Sequence, residues 1–188
     1  TVSPFVTRGV ILDILDLKIS QGATSAIQTV GGHTMLTNSY RITLEDIHDA
    51  MKRGNVGQIQ PGDVVCFRTG WHTLADDPTT YDQYLATEPG IYLREARWLA
   101  DHRPALIAAD TWALEVLPGQ PTSDPGQLFT VHQELIVKNG IRIGEGVIVT
   151  DLAEDGVFEF VYMYSPQYAK GATAGNTAPV GLAARRKH

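Results

Sequence analysis

The run Gln60-Pro61-Gly62-Asp63-Val64-Val65-Cys66-Phe67-Arg68-Thr69-Gly70-Trp71-His72 changes character twice. Pro61-Gly62 is a turn pair, since proline presets φ and glycine tolerates the left-handed region. Asp63 to Arg68 is then short, apolar and β-branched, which predicts a strand in the interior of a sheet. After Arg68 the chain becomes polar and aromatic, through Asp76-Asp77-Pro78 to Tyr81 and Tyr84. A long excursion beyond the carboxyl end of a buried strand is where α/β proteins place binding residues. Trp71 either walls a substrate pocket there or anchors the loop onto the core.

Toward the N-terminus, Gly9-Val10-Ile11-Leu12-Asp13-Ile14-Leu15 reads as another strand. Residues 19 to 41 are rich in Gly, Thr, Ser and Gln and read as a long loop or flap. His33 in that segment could serve as a ligand, but no second ligand lies at a helical or hairpin spacing, so it reads as an exposed loop histidine. Thr43 caps a helix, with Asp46 in a box-like arrangement. Leu44, Ile47, Ala50 and Met51 form its buried stripe, Gly54 ends it, and His48 falls on its polar side.

Toward the C-terminus, a helix starts near Pro89-Gly90, with Leu93, Ala96, Arg97, Trp98 and Leu99 on one packed face. Ala105 to Ala109 is a second buried strand, ending in Asp110-Thr111-Trp112. Asp110 is at a site position, and it also suits a turn cap that binds nearby backbone amides. Pro118, Pro121 and Pro125 mark a non-helical crossing loop over residues 117 to 130. Val131 to Lys138 then reads as a short helix, Asn139-Gly140 as its stop, and Ile141 to Glu145 as an extended run. Seven helical steps carry the chain outward by roughly 10 Å. Five extended residues return it by roughly 15 Å. His132 and Glu145 therefore meet at one end of this hairpin, as part of a metal site or as an acid/base pair. The structural reading is that both are ordinary surface groups. Two further runs, Gly146 to Thr150 and Val157 to Tyr164, make the C-terminal part rich in strands. Gly171 to Gly175 is a small-residue loop without the Lys-Ser/Thr of a phosphate-binding loop. Helices alternating with strands, then strands alone, predict an α/β domain with a mixed sheet.

Composition narrows the function. At 188 residues, 43% of them hydrophobic, the chain is one domain with a sizeable core. A net charge of −6 argues against a nucleic-acid surface, and Ala183 to His188 reads as a solvated terminus. The single cysteine, Cys66, excludes an intrachain disulfide and reads as a core thiol. It fits a reducing, cytoplasmic setting. No stretch approaches transmembrane length, and no signal peptide is visible. Thr1-Val2-Ser3-Pro4-Phe5 leads almost at once into a strand without an initiator methionine, which reads as a fragment or a processed product.

Several runs follow one another in an ordered set: Arg8 to Asp13, Pro61 to Val65, Arg68 to Trp71, Ala109 to Trp112, Val131 to Leu135, Asp155 to Phe160 and Lys170 to Thr173. This set resembles the metal-dependent cyclase family, with its kynurenine formamidase-like, isatin hydrolase-like and dienelactone hydrolase-like members. The likeness extends over nearly the whole chain. It implies a swivelling β/β/α fold of mixed sheet and packed helices in a single domain spanning residues 1–188. It also implies a divalent metal (zinc or manganese), hydrolysis of amides, lactones or related cyclic compounds, and a homo-oligomer. By the same resemblance, His132 and Glu145 are the family's C-terminal metal ligands. Trp71 and Trp112 then wall the pocket of a small-molecule substrate.

One departure is large. The family's His-x-Gly-Thr-His-x-Asp run belongs before Arg8-Gly9-Val10, and this chain has no room for it. The domain therefore reads as missing its N-terminal portion, because a preceding segment is cleaved or carried by a companion peptide, because the chain is truncated, or because the site has degenerated. Catalytic zinc usually keeps about three protein ligands, more than His132 and Glu145 provide. The alternatives to a hydrolase are a non-catalytic binding or assembly domain and a lyase or cyclase using the same metal site.

Overall fold

The computed structural model describes residues 3–123 and 128–184. In chain order the first half comprises β1 (Phe5–Asp13), α1 (Ile14–Ser20), β2 (Ile27–Val30), β3 (His33–Leu36), β4 (Arg41–Ile42), α2 (Leu44–Arg53) and β5 (Val64–Arg68). Then come α3 (Tyr81–Ala86), β6 (Gly90–Ile91), α4 (Leu93–Asp101) and β7 (Leu106–Ala109). The last part holds α5 (Thr130–His132), β8 (Arg142–Gly144), α6 (Thr150–Glu154), β9 (Glu159–Tyr164) and β10 (Val180–Leu182). Pro125 and the basic end from Arg185 to His188 lie outside the described residues.

Six strands form one mixed sheet in the order β10-β9-β1-β5-β7-β8. β1, β5, β7 and β8 run parallel, while β9 is antiparallel to both β1 and β10. The expected α/β architecture with a mixed sheet and packed helices is the one observed. Side chains alternate across each strand. Val10, Leu12, Val65, Phe67, Ile107 and Ala109 therefore face the layer of α1, α2 and α4. Ile11, Val64, Cys66, Leu106 and Ala108 face α6 and the rings of Phe160 and Tyr162. Cys66 is wholly buried, and burial pushes its thiol up to about 12, as a core thiol requires.

Four local expectations are corrected. The first strand stops at Asp13, and Ile14-Leu15 open α1, because the Asp13 carboxylate accepts a hydrogen bond from Asp16 N at 2.9 Å and caps a helix. Residues 19 to 41 are not a long irregular loop. β2 and β3 pair as a hairpin through Gly31 and Gly32, at φ 58° and 85°, the geometry of a tight two-residue turn. Met35 and Leu36 of that hairpin are buried. The helix expected near Pro89-Gly90 begins only at Leu93, since Gly90 and Ile91 pair with Arg41 and Ile42 as strand. Finally, Val147 to Val149 are not strand. Gly146 N and Val147 N donate to Thr111 O and Ala109 O, and Thr150 starts α6.

Candidate functional site

The parallel strands β5, β7 and β8 end on one edge of the sheet, and their continuations supply its polar groups. β5 leads through Thr69-Gly70 into a single turn over Trp71–Ala75. β7 leads into Asp110 and then to Glu115. β8 leads directly to Glu145. α5 delivers His132 and continues as a π-helical turn over Gln133–Lys138. The expected stop follows, with Gly140 at φ 65° and its amide on Ile136 O.

The return predicted for this hairpin is present. His132 Nε2 lies 3.3 Å from Glu145 Oε1. On its other side, His132 Nδ1 lies 2.8 Å from Glu115 Oε1. The backbone amides of Val131 and His132 donate to the same Glu115 carboxylate at 3.3 and 3.1 Å. Burial opposes a charge on His132, but hydrogen bonds to Glu115 and Glu145 outweigh it and raise the imidazole to about 9. Phe129 meets this ring edge-on at 5.2 Å between centroids, and Trp112 meets Phe129 at 6.4 Å.

A third carboxylate, Glu88, is fully buried and accepts from Trp112 N at 2.8 Å and Ala113 N at 2.9 Å. Burial pushes Glu88 up to about 8. The backbone donors oppose that rise, and the charge of Glu145 adds to it. Tyr84 is likewise pushed up to about 12, by burial and by the charges of Glu88, Asp110 and Glu145. Its phenol therefore stays protonated in a field of carboxylates.

The remaining predicted residues divide. Trp71 is 0% exposed, packed with Met35 and Leu74, and its indole N–H donates to Tyr84 O at 3.4 Å. Of the two readings of Trp71, anchoring describes what is seen, and its ring presents no surface to a pocket. Trp112 is half-buried beside Phe129, and its indole N–H has no partner among the described residues. Asp110 accepts from Thr69 N, Gly70 N and Thr69 Oγ1, so it caps this turn as the structural reading expects. It also holds His72 Nδ1 at 3.3 Å. His48 is exposed against Trp98, and His33 is exposed at the start of β3.

Sequence reasoning missed Glu115, Glu88 and His72. The available signal for Glu115 was a lone acid inside the apolar run Ala113-Leu114-Glu115-Val116-Leu117. Such an acid in an interior segment is buried only when paired. Glu88, just before Pro89-Gly90, carried no comparable signal.

The donor set has the chemistry of part of a metal centre. An imidazole whose Nδ1 is held by a carboxylate presents Nε2 in the orientation of a metal ligand. Glu145 supplies an oxygen beside it. Among the described residues, no group of three or more His, Cys, Asp or Glu is placed to hold a metal ion. The two donors fit a divalent cation only with ligands from outside the described residues.

With this geometry in place, comparison identifies the class. The Cyclase family model, described as "Putative cyclase", matches residues 1–116. No curated protein matches the chain. A solved structure described as a novel cyclase is 30% identical, with a TM-score of 0.72 over 95% of this chain and 53% of its own. Isatin hydrolase A from Ralstonia solanacearum is 15% identical, with a TM-score of 0.66 over 94% of this chain and 60% of its own. A potential metal-dependent hydrolase with cyclase activity is 20% identical, with a TM-score of 0.56 over 94% of this chain and 64% of its own. The chain thus spans between half and two thirds of these similar structures. It belongs to the Cyclase family.

Proposed function

We propose that this chain forms part of a metal-dependent hydrolase acting on an amide, lactone or other cyclic carbonyl compound. The observation that carries the reading is the convergence of His132 Nε2 on Glu145 while Glu115 holds Nδ1. Family membership supports it, as do similar folds named as an isatin hydrolase and as a potential metal-dependent hydrolase.

His132 and Glu145 would hold a zinc or manganese ion together with ligands outside the described residues, from a preceding segment or a companion peptide. Such a metal supplies Lewis-acid polarisation of a carbonyl and lowers the pKa of bound water to about 7. The chain's own residues prepare the surroundings. Trp112 and Phe129 give an aromatic border suited to a flat or cyclic substrate. Glu88 and Tyr84, both raised, hold protons near neutral pH or above it on the same edge. His72 bonds Asp110 through Nδ1 on the same edge. We also propose a cytoplasmic, oligomeric protein. No described helix is long and apolar enough to cross a membrane.

The test is elemental mass spectrometry of natively purified protein, followed by hydrolysis assays on formamides and lactones. His132→Ala should abolish metal retention and hydrolysis while the fold survives. A wild-type protein that carries no metal and hydrolyses none of these compounds would sink the reading and favour a binding or assembly domain.

A further inference from the structure

Glu115 comes from the segment after β7, far in sequence from the helix it touches. Its side chain is 2% exposed and meets three donors on two consecutive residues: Val131 N, His132 N and His132 Nδ1. Phe129, the residue before α5, has φ 55° and offers no side-chain cap. One remote carboxylate therefore does what a local cap would do for the helix start, and also grips the ring.

Glu115 is itself clamped. Ile91 N donates to Leu114 O at 3.2 Å, and Val116 N donates to Ile91 O at 3.3 Å, so the backbone on both sides of Glu115 is fixed to β6. Gly90 lets that approach happen, because a Cβ there would lie 2.3 Å from Leu114 O.

Two carboxylates compete for the single ring proton of neutral His132. Glu115 is 2.8 Å away and buried, whereas Glu145 is 3.3 Å away with its side chain 47% exposed. Water screens the exposed partner and leaves the buried one strong. The proton therefore stays on Nδ1, and the Nε2 lone pair faces Glu145.

We infer that Glu115 is the positioning residue of this site: its carboxylate sets the tautomer and direction of His132, leaving Nε2 free to bind an electrophile or cation beside Glu145. Only the metal-affinity consequence rests on the reading of His132 as a metal ligand. The orienting role stands apart from it.

Nitrogen-15 histidine correlation spectra of the full chain, recorded at a pH where the spectra show the His132 ring to be neutral, test the orienting role. The wild type should show the Nδ1–H pattern for His132, with the signal assigned by its loss in His132→Gln. In Glu115→Gln an amide cannot accept from all three donors, so His132 should shift toward the Nε2–H form, with Nε2–H donating to Glu145. Zinc titration of the natively purified proteins, with any preceding segment or companion peptide retained, should show about 10–100-fold weaker binding in Glu115→Gln. A merely structural Glu115 would lower the melting temperature and leave the tautomer unchanged, which would overturn the inference. If Glu115→Gln does not fold, the wild-type spectrum still decides, since an Nε2–H pattern there refutes it. A tautomer switch without zinc uptake by the wild type would refute the metal reading and uphold Glu115. Zinc uptake with an unmoved tautomer would do the reverse.

Discussion

His132 is an imidazole between two carboxylates, and its titration has a definite sign. Its folded value is raised from 6.5 to about 9 because the bonds to Glu115 and Glu145 outweigh the cost of burial. The protonated ring therefore contributes stability that is fully present below about pH 6.5 and lost as pH rises through about 9. Glu88, raised from 4.5 to about 8, loses its contribution over an earlier rise in pH. Denaturant midpoints of the metal-free protein should fall between pH 6.5 and 9, and His132→Gln should flatten the upper part of that fall. A metal needs the neutral ring, so metal retention should move in the opposite direction and improve as pH rises. Trp71 makes a second case at this scale. Its ring is fully buried against Met35 and Leu74, so Trp71→Ala should cost about 3–5 kcal/mol of stability, measured by denaturant unfolding. A variant of unchanged stability and weakened substrate binding would instead return Trp71 to the pocket wall.

At the scale of elements, β6 is the hinge pin of the site. It contains only Gly90 and Ile91, yet it pairs with β4 on one side and fixes the backbone around Glu115 on the other. Gly90→Ala would drive a methyl group into Leu114 O and Glu115 C, backbone atoms that cannot swing aside. The expected outcome is a loss of about 1–3 kcal/mol together with a displaced Glu115. Thermal unfolding reads the first effect, and the His132 spectrum reads the second. Gly9 plays a comparable part between β1 and β9. A Cβ there would lie 2.6 Å from the Phe160 ring, so that ring can pack over β1 at this point only because Gly9 lacks one.

Across the whole molecule, β5 lies between parallel neighbours, with its side chains packed on both faces of the sheet. Cys66 on that strand reports on the entire fold. Its thiol is wholly buried and pushed up to about 12, so a thiol reagent should label it only through global opening. Labelling at neutral pH should be negligible in buffer and complete in denaturant, with a rate that tracks stability across variants. Fast labelling in buffer would mean that β5 opens locally.

Elements with a purely local pattern could be read from the chain directly. β5 and β7 were legible because a short, continuous apolar run bounded by turn residues has few other uses. α2 was legible because Thr43, Asp46 and Gly54 mark its ends. The His132–Glu145 meeting was legible because one turn joins the two residues, and chain geometry alone returns one to the other. Where the apolar pattern ran on past a boundary, as at Ile14-Leu15, the Asp13 cap decided, and periodicity could not reveal it. Tertiary structure alone decided the rest of the site. His72 reaches Asp110 because parallel pairing brings the ends of β5 and β7 together, Glu88 reaches Trp112 because its backbone pairs with Leu117, and Glu115 reaches His132 because β6 fixes the backbone on both sides of it. Those contacts join stretches well apart along the chain, and the sheet order that unites them is set by burial of both faces at once, which no single stretch of sequence encodes.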